Sequence, residues 1–164
     1  MAVDMFLKID QIKGESADGA HKDAIDILSF SWGMSQTGST HGGSGSGTGK
    51  VNVQDLSITK YIDKASPNLM KLCCSGTHFK NATLFVRKAG GKALEYIKLE
   101  MYQGIVSSIS TGGAHGEERL TENITLNFAA FKYDYTPQKA DGSGEAAIPM
   151  QWNIPANQDK PVPP

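Results

Sequence analysis

The sequence predicts an all-β protein with one short α-helix: an antiparallel two-sheet β-barrel of about eight strands, with the helix packed on one side. Three observations carry this. Apolar residues recur with period two along most of the chain, as in AVDMFLKI from Ala2 and ITLNF from Ile124. Only the stretch SPNLMKLCCSG, from Ser66 to Gly76, combines a helical period with helical end signals. Strand follows strand without the alternation of strand and helix that a parallel sheet needs.

The first strand puts Val3, Met5, Leu7 and Ile9 on one face and Asp4 and Lys8 on the other. Polar residues from Lys13 to Asp23 then form a loop. The second strand runs from Ile25 to Ser35, with Leu28, Phe30, Trp32 and Met34 toward the core. Its other face, Ser29, Ser31 and Gly33, is small and polar, as a smooth wall would be. From Thr37 to Gly49 the chain reads TGSTHGGSGSGTG, too poor in apolar surface to order itself. A connection this long inside a compact domain is often functional. It is either a solvated loop or one that orders against a neighbouring subunit.

Val51 and Val53 share a face, whereas Leu56 and Ile58 fall on the opposite parity, which predicts a β-bulge at Gln54 and Asp55. In the helix Ser66 is the expected N-cap and Pro67 the first helical residue. Leu69, Leu72 and Cys73 make the apolar face, and Gly76 takes the positive φ of the C-terminal stop. A helix this short is marginal alone and must be held by a sheet.

Thr83 to Lys88 is the next strand, turning at Gly90 and Gly91 into Leu94 to Tyr102, where Ile97, Leu99 and Met101 share a side. Gly104 breaks or bulges that run before Ile105 to Ser110 resumes it. After a turn from Thr111 to Glu118, the longest strand spans Arg119 to Tyr135. Ile124, Leu126, Phe128 and Ala130 face in, and Thr125, Asn127, Ala129 and Phe131 face out. Such a strand is well beyond the usual 5 to 6 or so residues and more than a small monomeric sandwich needs. A polar linker from Thr136 to Glu145 precedes a last strand, Met150 to Ile154. The chain is thus one domain over residues 1–154, followed by a Pro-rich, disordered tail over 155–164.

Composition excludes several functions. Lysine and arginine number 16 against 17 acidic residues, with a pI near 6.4, so no basic excess collects phosphates and nucleic acid is not an expected partner. No apolar run reaches the roughly 20 residues of a membrane span, and the N-terminus alternates where a secretory signal would not. Cys73 and Cys74 are adjacent on a helix, where a mutual disulfide would be strained, and they fit a reducing compartment.

Candidate chemistry is sparse. His21, His41, His78 and His115 are read as loop polar residues, since none has metal-ligand spacing. Cys73 with His78 is the one pair resembling a nucleophile and its base. Both cysteines, however, sit away from the helix N-terminus, where the macrodipole would favour a thiolate, and read better as small core residues. Gly112, Gly113 and Gly116 are followed by Glu117 and Glu118, which would repel phosphate. No metal, cofactor or catalytic residue is expected, and the protein is not read as an enzyme.

The run VNVQDLSITKYIDKASPNLMKLCCSG, preceded by SWGMSQTGS and followed by STGG and RLTENITLNF, resembles the haemolysin-coregulated protein (Hcp) family. The likeness extends from AVDMFLKI at Ala2 to WNI at Trp152. It implies the same β-barrel fold and a tube subunit of bacterial type VI secretion. Six copies would form a ring, and rings would stack head-to-tail into a hollow tube inside contractile sheath proteins, tipped by a VgrG-type spike protein. The tube would be cytoplasmic until fired and then extracellular, carrying effector proteins in its lumen. On this reading Ser29, Ser31 and Ser35 are lumen candidates. Thr37, Ser39, His41, Ser44 and Thr48 are candidates for ring stacking. Thr125, Asn127, Ala129 and Phe131 are candidates for the contact between subunits within a ring. The competing classes are a monomeric ligand-binding β-barrel and, last, a cysteine hydrolase using Cys73.

Overall fold

The computed structural model describes residues 2–38, 49–90 and 93–160. Its strands are β1 (Val3–Ile9), β2 (Ile25–Asp26), β3 (Ser29–Ser31), β4 (Met34–Ser35), β5 (Asn52–Val53), β6 (Leu56–Tyr61), β7 (Phe79–Lys88), β8 (Leu94–Thr111), β9 (Thr121–Tyr135) and β10 (Ile148–Asn153), with one helix, α1 (Ser66–Ser75), between β6 and β7. All the strand pairings are antiparallel. The main sheet runs β2-β1-β7-β8-β9-β6-β3, with β10 added beside β9, and it curls into a half-barrel. Two consecutive residues lace its ends together: Ile27 N donates to Met5 O of β1 at 3.0 Å and Leu28 N to Thr59 O of β6 at 2.9 Å. Buried Leu7, Ile25, Leu56, Ile58, Leu84, Leu99, Met101, Ile124 and Leu126 fill the interior.

The helix closes one side of this core. Leu69 is fully buried, a contribution of about 1.5–3 kcal/mol, and Leu72 and Cys73 pack beside it. Gly76 ends the helix with φ +65° and donates its N–H to Leu72 O at 3.0 Å. The N-cap is Ala65, one residue before the expected Ser66, and it makes no side-chain cap. Ser66 is inside the helix because its hydroxyl has other partners, accepting from Asp63 N and donating to buried Glu122.

Several expected elements divide differently. The second strand is three short pieces, β2 to β4, since each pairs with a different neighbour: β1, β6 and β5. Leu28 and Met34, expected in the core, are exposed, and Ile25 and Ile27 take the buried positions. At Gln54 and Asp55 there is a strand break, not a bulge: β5 pairs with β4 as a separate two-stranded ribbon, while β6 returns to the main sheet. Conversely, β8 runs unbroken for 18 residues through Gly104.

The break in pattern near Gly104 has a cause. Gln103 adopts φ +52°, which turns the strand over, so the core residues change from Leu99 and Met101 to Gly104 and Val106. The partner strand changes at the same level, from Leu126 and Phe128 to Phe131. Gly104 has no room for a Cβ, which would lie 2.1 Å from Phe79 Cζ and 2.7 Å from Asn127 O. The switch gives the molecule two non-core faces on opposite halves of the sheet.

Beyond β10 the chain turns back at residues 154–157. Asn157 has φ +52°, and Asn153 N donates to Gln158 O at 2.8 Å.

Candidate assembly surfaces

The first non-core face belongs to β3, β6, the first half of β9 and the second half of β8. Register aligns Ser29, Thr59, Asn123 and Ser110 in one row and Ser31, Ser57, Thr125 and Ser108 in the next. Every one of these residues is exposed or half-buried, and none is charged. Alternation explains this: the opposite parity carries Leu56, Ile58, Ile124 and Leu126 into the core.

Hydroxyls and amides on this face bond to one another. Thr59 Oγ1 donates to Asn123 Oδ1 at 2.7 Å. Thr125 Oγ1 lies 2.7 Å from Ser107 Oγ and 2.6 Å from Ser108 Oγ. The single acidic group at the edge, Asp55, accepts from Ser107 Oγ at 2.6 Å and from Asn127 Nδ2 at 2.8 Å. Among the described residues this four-stranded face has an edge without a strand partner at either side. β3 ends the sheet, and β7 stops pairing with β8 at Gly104, so among the described residues no backbone bond reaches the outer edge of β8 from Ile105 to Thr111.

The second non-core face, on β1, β7, the first half of β8 and the second half of β9, is charged. Lys98 pairs in register with Asp134 and Glu100 with Lys132, and Lys98 Nζ lies 3.2 Å from Glu100 Oε1. The loop between β1 and β2 is pinned here. Arg87 donates to Asp18 Oδ1 at 2.7 Å and to Asp4 Oδ2 at 3.1 Å, which holds the Asp18 carboxyl down at about 2 and raises the guanidinium further. His21, expected as a loop polar residue, is buried. Its ring lies 4.7 Å from that of Phe6 and 4.5 Å from that of Phe85, and its Nε2 bonds to Glu95.

The β4–β5 ribbon stands beside these layers. Met34, Gln36, Val51 and Val53 meet Phe131, Met150 and Trp152 around a shallow apolar cleft of about 210 Å³. Gly49 N donates to Thr37 O at 3.1 Å, pinching the chain at the ribbon's far end.

The expected site residues sort as follows. Ser29 and Ser31 share the hydroxyl face with Thr125, and Asn127 bonds to Asp55 at its margin, so lumen and interface candidates form one surface instead of two. Ser35 lies apart on the ribbon, and Thr37 is exposed at its end. Ser39, His41, Ser44 and Thr48 lie outside the described residues. Ala129 is half-buried, its carbonyl accepting from Ile154 N at 2.9 Å. Phe131 is not outward: it is 1% exposed, its ring edge-on to Trp32 at 4.9 Å, because the turnover at Gln103 reverses the parity there. Cys74 is exposed instead of buried, whereas Cys73 packs on the core. Among the described residues no group of three or more His, Cys, Asp or Glu could hold a metal, and no helix is long and apolar enough to cross a membrane.

Sequence reasoning missed one buried cluster. Lys60 Nζ reaches Glu122 Oε1 at 2.5 Å, Asp63 Oδ1 at 2.9 Å, Tyr61 O at 2.9 Å and Ser66 Oγ at 3.2 Å. The signal was a lysine and a glutamate at inward parity on two paired strands.

A curled antiparallel half-barrel with one helix is the architecture of solved type VI secretion proteins. One such structure, described as a type six secretion system protein, matches with TM-score 0.91 and 30% identity, covering 97% of this chain and all of that one. Hcp1 from Salmonella typhimurium matches with TM-score 0.77 and 38% identity, over 98% of this chain and 100% of that one. Residues 6–135 match the family described as type VI secretion system effector, Hcp. The protein hcp1 of Pseudomonas aeruginosa is 58% identical over 159 residues, 96% of this chain and 98% of that protein. The molecule is therefore a type VI secretion protein of mostly β structure. The chain belongs to the Hcp family.

Proposed function

We propose that this chain is the structural subunit of a type VI secretion tube. Six copies close a ring, and rings stack head-to-tail into a hollow tube. A contractile sheath drives that tube, behind a spike protein, from the cytoplasm into a target. The hydroxyl face lines the lumen and carries effector proteins, and the charged face points outward. The chain acts by assembly and not by catalysis.

The observation that carries this reading is the four-stranded hydroxyl face bounded by two edges that no other described residue pairs with, β3 on one side and Ile105–Thr111 of β8 on the other. Exposed strand edges are a liability unless something pairs with them. Two different edges on one subunit favour a heterologous contact, the kind that closes rings when the rotation allows. A formal net charge of −1 opposes such self-association little. The ribbon is the natural axial contact, since its two strands pair with each other and with no strand of the sheet that would form the ring wall.

Light scattering on the purified protein, with negative-stain imaging of the same fraction, tests this. The expected result is a single species near six subunits, seen end-on as rings with a central hole. A clean monomer over a wide concentration range overturns it.

A further inference from the structure

The ribbon of β4 and β5 joins the half-barrel through two short connections, Trp32–Gly33 and Gln54–Asp55. At this base Gln54 N donates to Gly33 O at 2.9 Å and Trp32 Nε1 donates to Gln54 O at 2.9 Å. These bonds tie the two connections to each other. The adjacent carboxylate ties them to the sheet: Asp55 Oδ2 accepts from Ser107 of β8 and Oδ1 from Asn127 of β9. Bonds to an ionised acceptor are the stronger kind.

The same carboxylate orders the hydroxyl face. Ser107 has one hydroxyl proton and gives it to Asp55, so Thr125 must donate to Ser107, and Ser108 to Thr125. One side chain therefore sits at the junction of the two surfaces that the tube reading assigns to lumen and to stacking. It touches the wall directly, and through its neighbour Gln54 it touches the ribbon.

We propose that Asp55 is a positioning residue that bolts the ribbon to the hydroxyl wall, so that ribbon direction, and with it ring-to-ring contact, depends on the grip of Ser107 and Asn127 on one carboxylate. The stacking half of this rests on the tube reading above; the anchoring half does not. Coupling of this kind needs an element with few other attachments. Among the described residues the ribbon qualifies, since beyond its base it meets the sheet through the side chains of the apolar cleft.

The experiment uses the full chain and two variants, Asp55→Ala and the double variant Ser107→Ala with Asn127→Ala, which removes the grip from the opposite side. Amide exchange is followed by mass spectrometry, ring mass by light scattering, and tubes by negative stain at high protein concentration. The expected result is exchange faster on the order of tenfold in residues 33–38 and 49–54 of both variants. Exchange in β6 should be unchanged in both variants and the ring mass unchanged in Asp55→Ala, with fewer and shorter tubes. Unaltered ribbon exchange in both variants overturns the anchoring role. Faster exchange with undiminished tubes overturns the link to stacking. Wild-type rings that never stack count against the tube reading, while the exchange data still decide what Asp55 does.

Discussion

Lys60 and Glu122 face each other across β6 and β9 with Nζ and Oε1 2.5 Å apart, and neither side chain has any exposed surface. The ammonium has four oxygen partners, from Tyr61, Asp63, Ser66 and Glu122, whereas Glu122 Oε2 has none among the described residues. The cluster sits under the start of α1 and joins the helix to the sheet.

Breaking such a pair is costly because it strands a buried charge. Lys60→Met or Glu122→Leu alone should each cost about 3–5 kcal/mol in denaturant unfolding, whereas the two together should recover most of the loss. Single variants that lose less than about 1 kcal/mol would mean that the charges are solvated in solution.

The Asp18–Arg87 pair predicts an acid limb of stability. Asp18 titrates at about 2 in the fold against an ordinary 3.8, its carboxylate held by the guanidinium. A depressed folded value contributes stability that is fully present above the unfolded value and lost as pH falls toward the folded one. Asp18→Asn keeps an oxygen for the Ala20 and His21 amides but discards the charge. The melting temperature of the wild type should exceed that of the variant at pH 7, and the gap should close between about pH 4 and pH 2. A gap that stays constant through that window would remove the ion pair as its source.

How much of this was legible beforehand depended on whether the cause was local. The helix was readable because Pro67, the Leu69–Leu72–Cys73 stripe and Gly76 lie within eleven residues; its first residue was misplaced because Ser66 spends its hydroxyl on a glutamate 56 positions away. The parity of β9 was readable through Ala130 and failed at Phe131, where the core changes sides at the level of the positive φ at Gln103, on another strand and at a residue that gives no warning. Irregularity at Gln54 and Asp55 was visible from apolar parity. That it separates two sheets follows from pairings made with Met34, Ser35 and β9. The hydroxyl face was half visible: Ser29 and Ser31 were found by alternation, but their alignment with Asn123 and Thr125 comes from register with β6.

Gly104 offers a direct test of the turnover between the two halves of the sheet. A Cβ there would meet the Phe79 ring at 2.1 Å and the Asn127 carbonyl at 2.7 Å, and only the ring can move. Gly104→Ala should cost about 1–3 kcal/mol, by overpacking. Adding Phe79→Leu should return part of that cost, the backbone clash remaining. Full recovery would place the whole strain on the ring, and a neutral Gly104→Ala would mean that the strands separate freely at this level.

The wall prediction turns on Ser31, which is exposed in the row with Ser57, Thr125 and Ser108 and makes no hydrogen bond with them. Because nothing in the fold depends on its hydroxyl, Ser31→Trp should change unfolding free energy by no more than about 0.5 kcal/mol. If this face lines a lumen, six indoles would narrow it and replace a hydroxyl surface with an apolar one, so an effector co-purified with the rings should fall several-fold while ring mass is unchanged. Undiminished effector at unchanged ring mass would move the cargo surface elsewhere. Loss of the ring itself would identify Ser31 as part of the β3 edge contact.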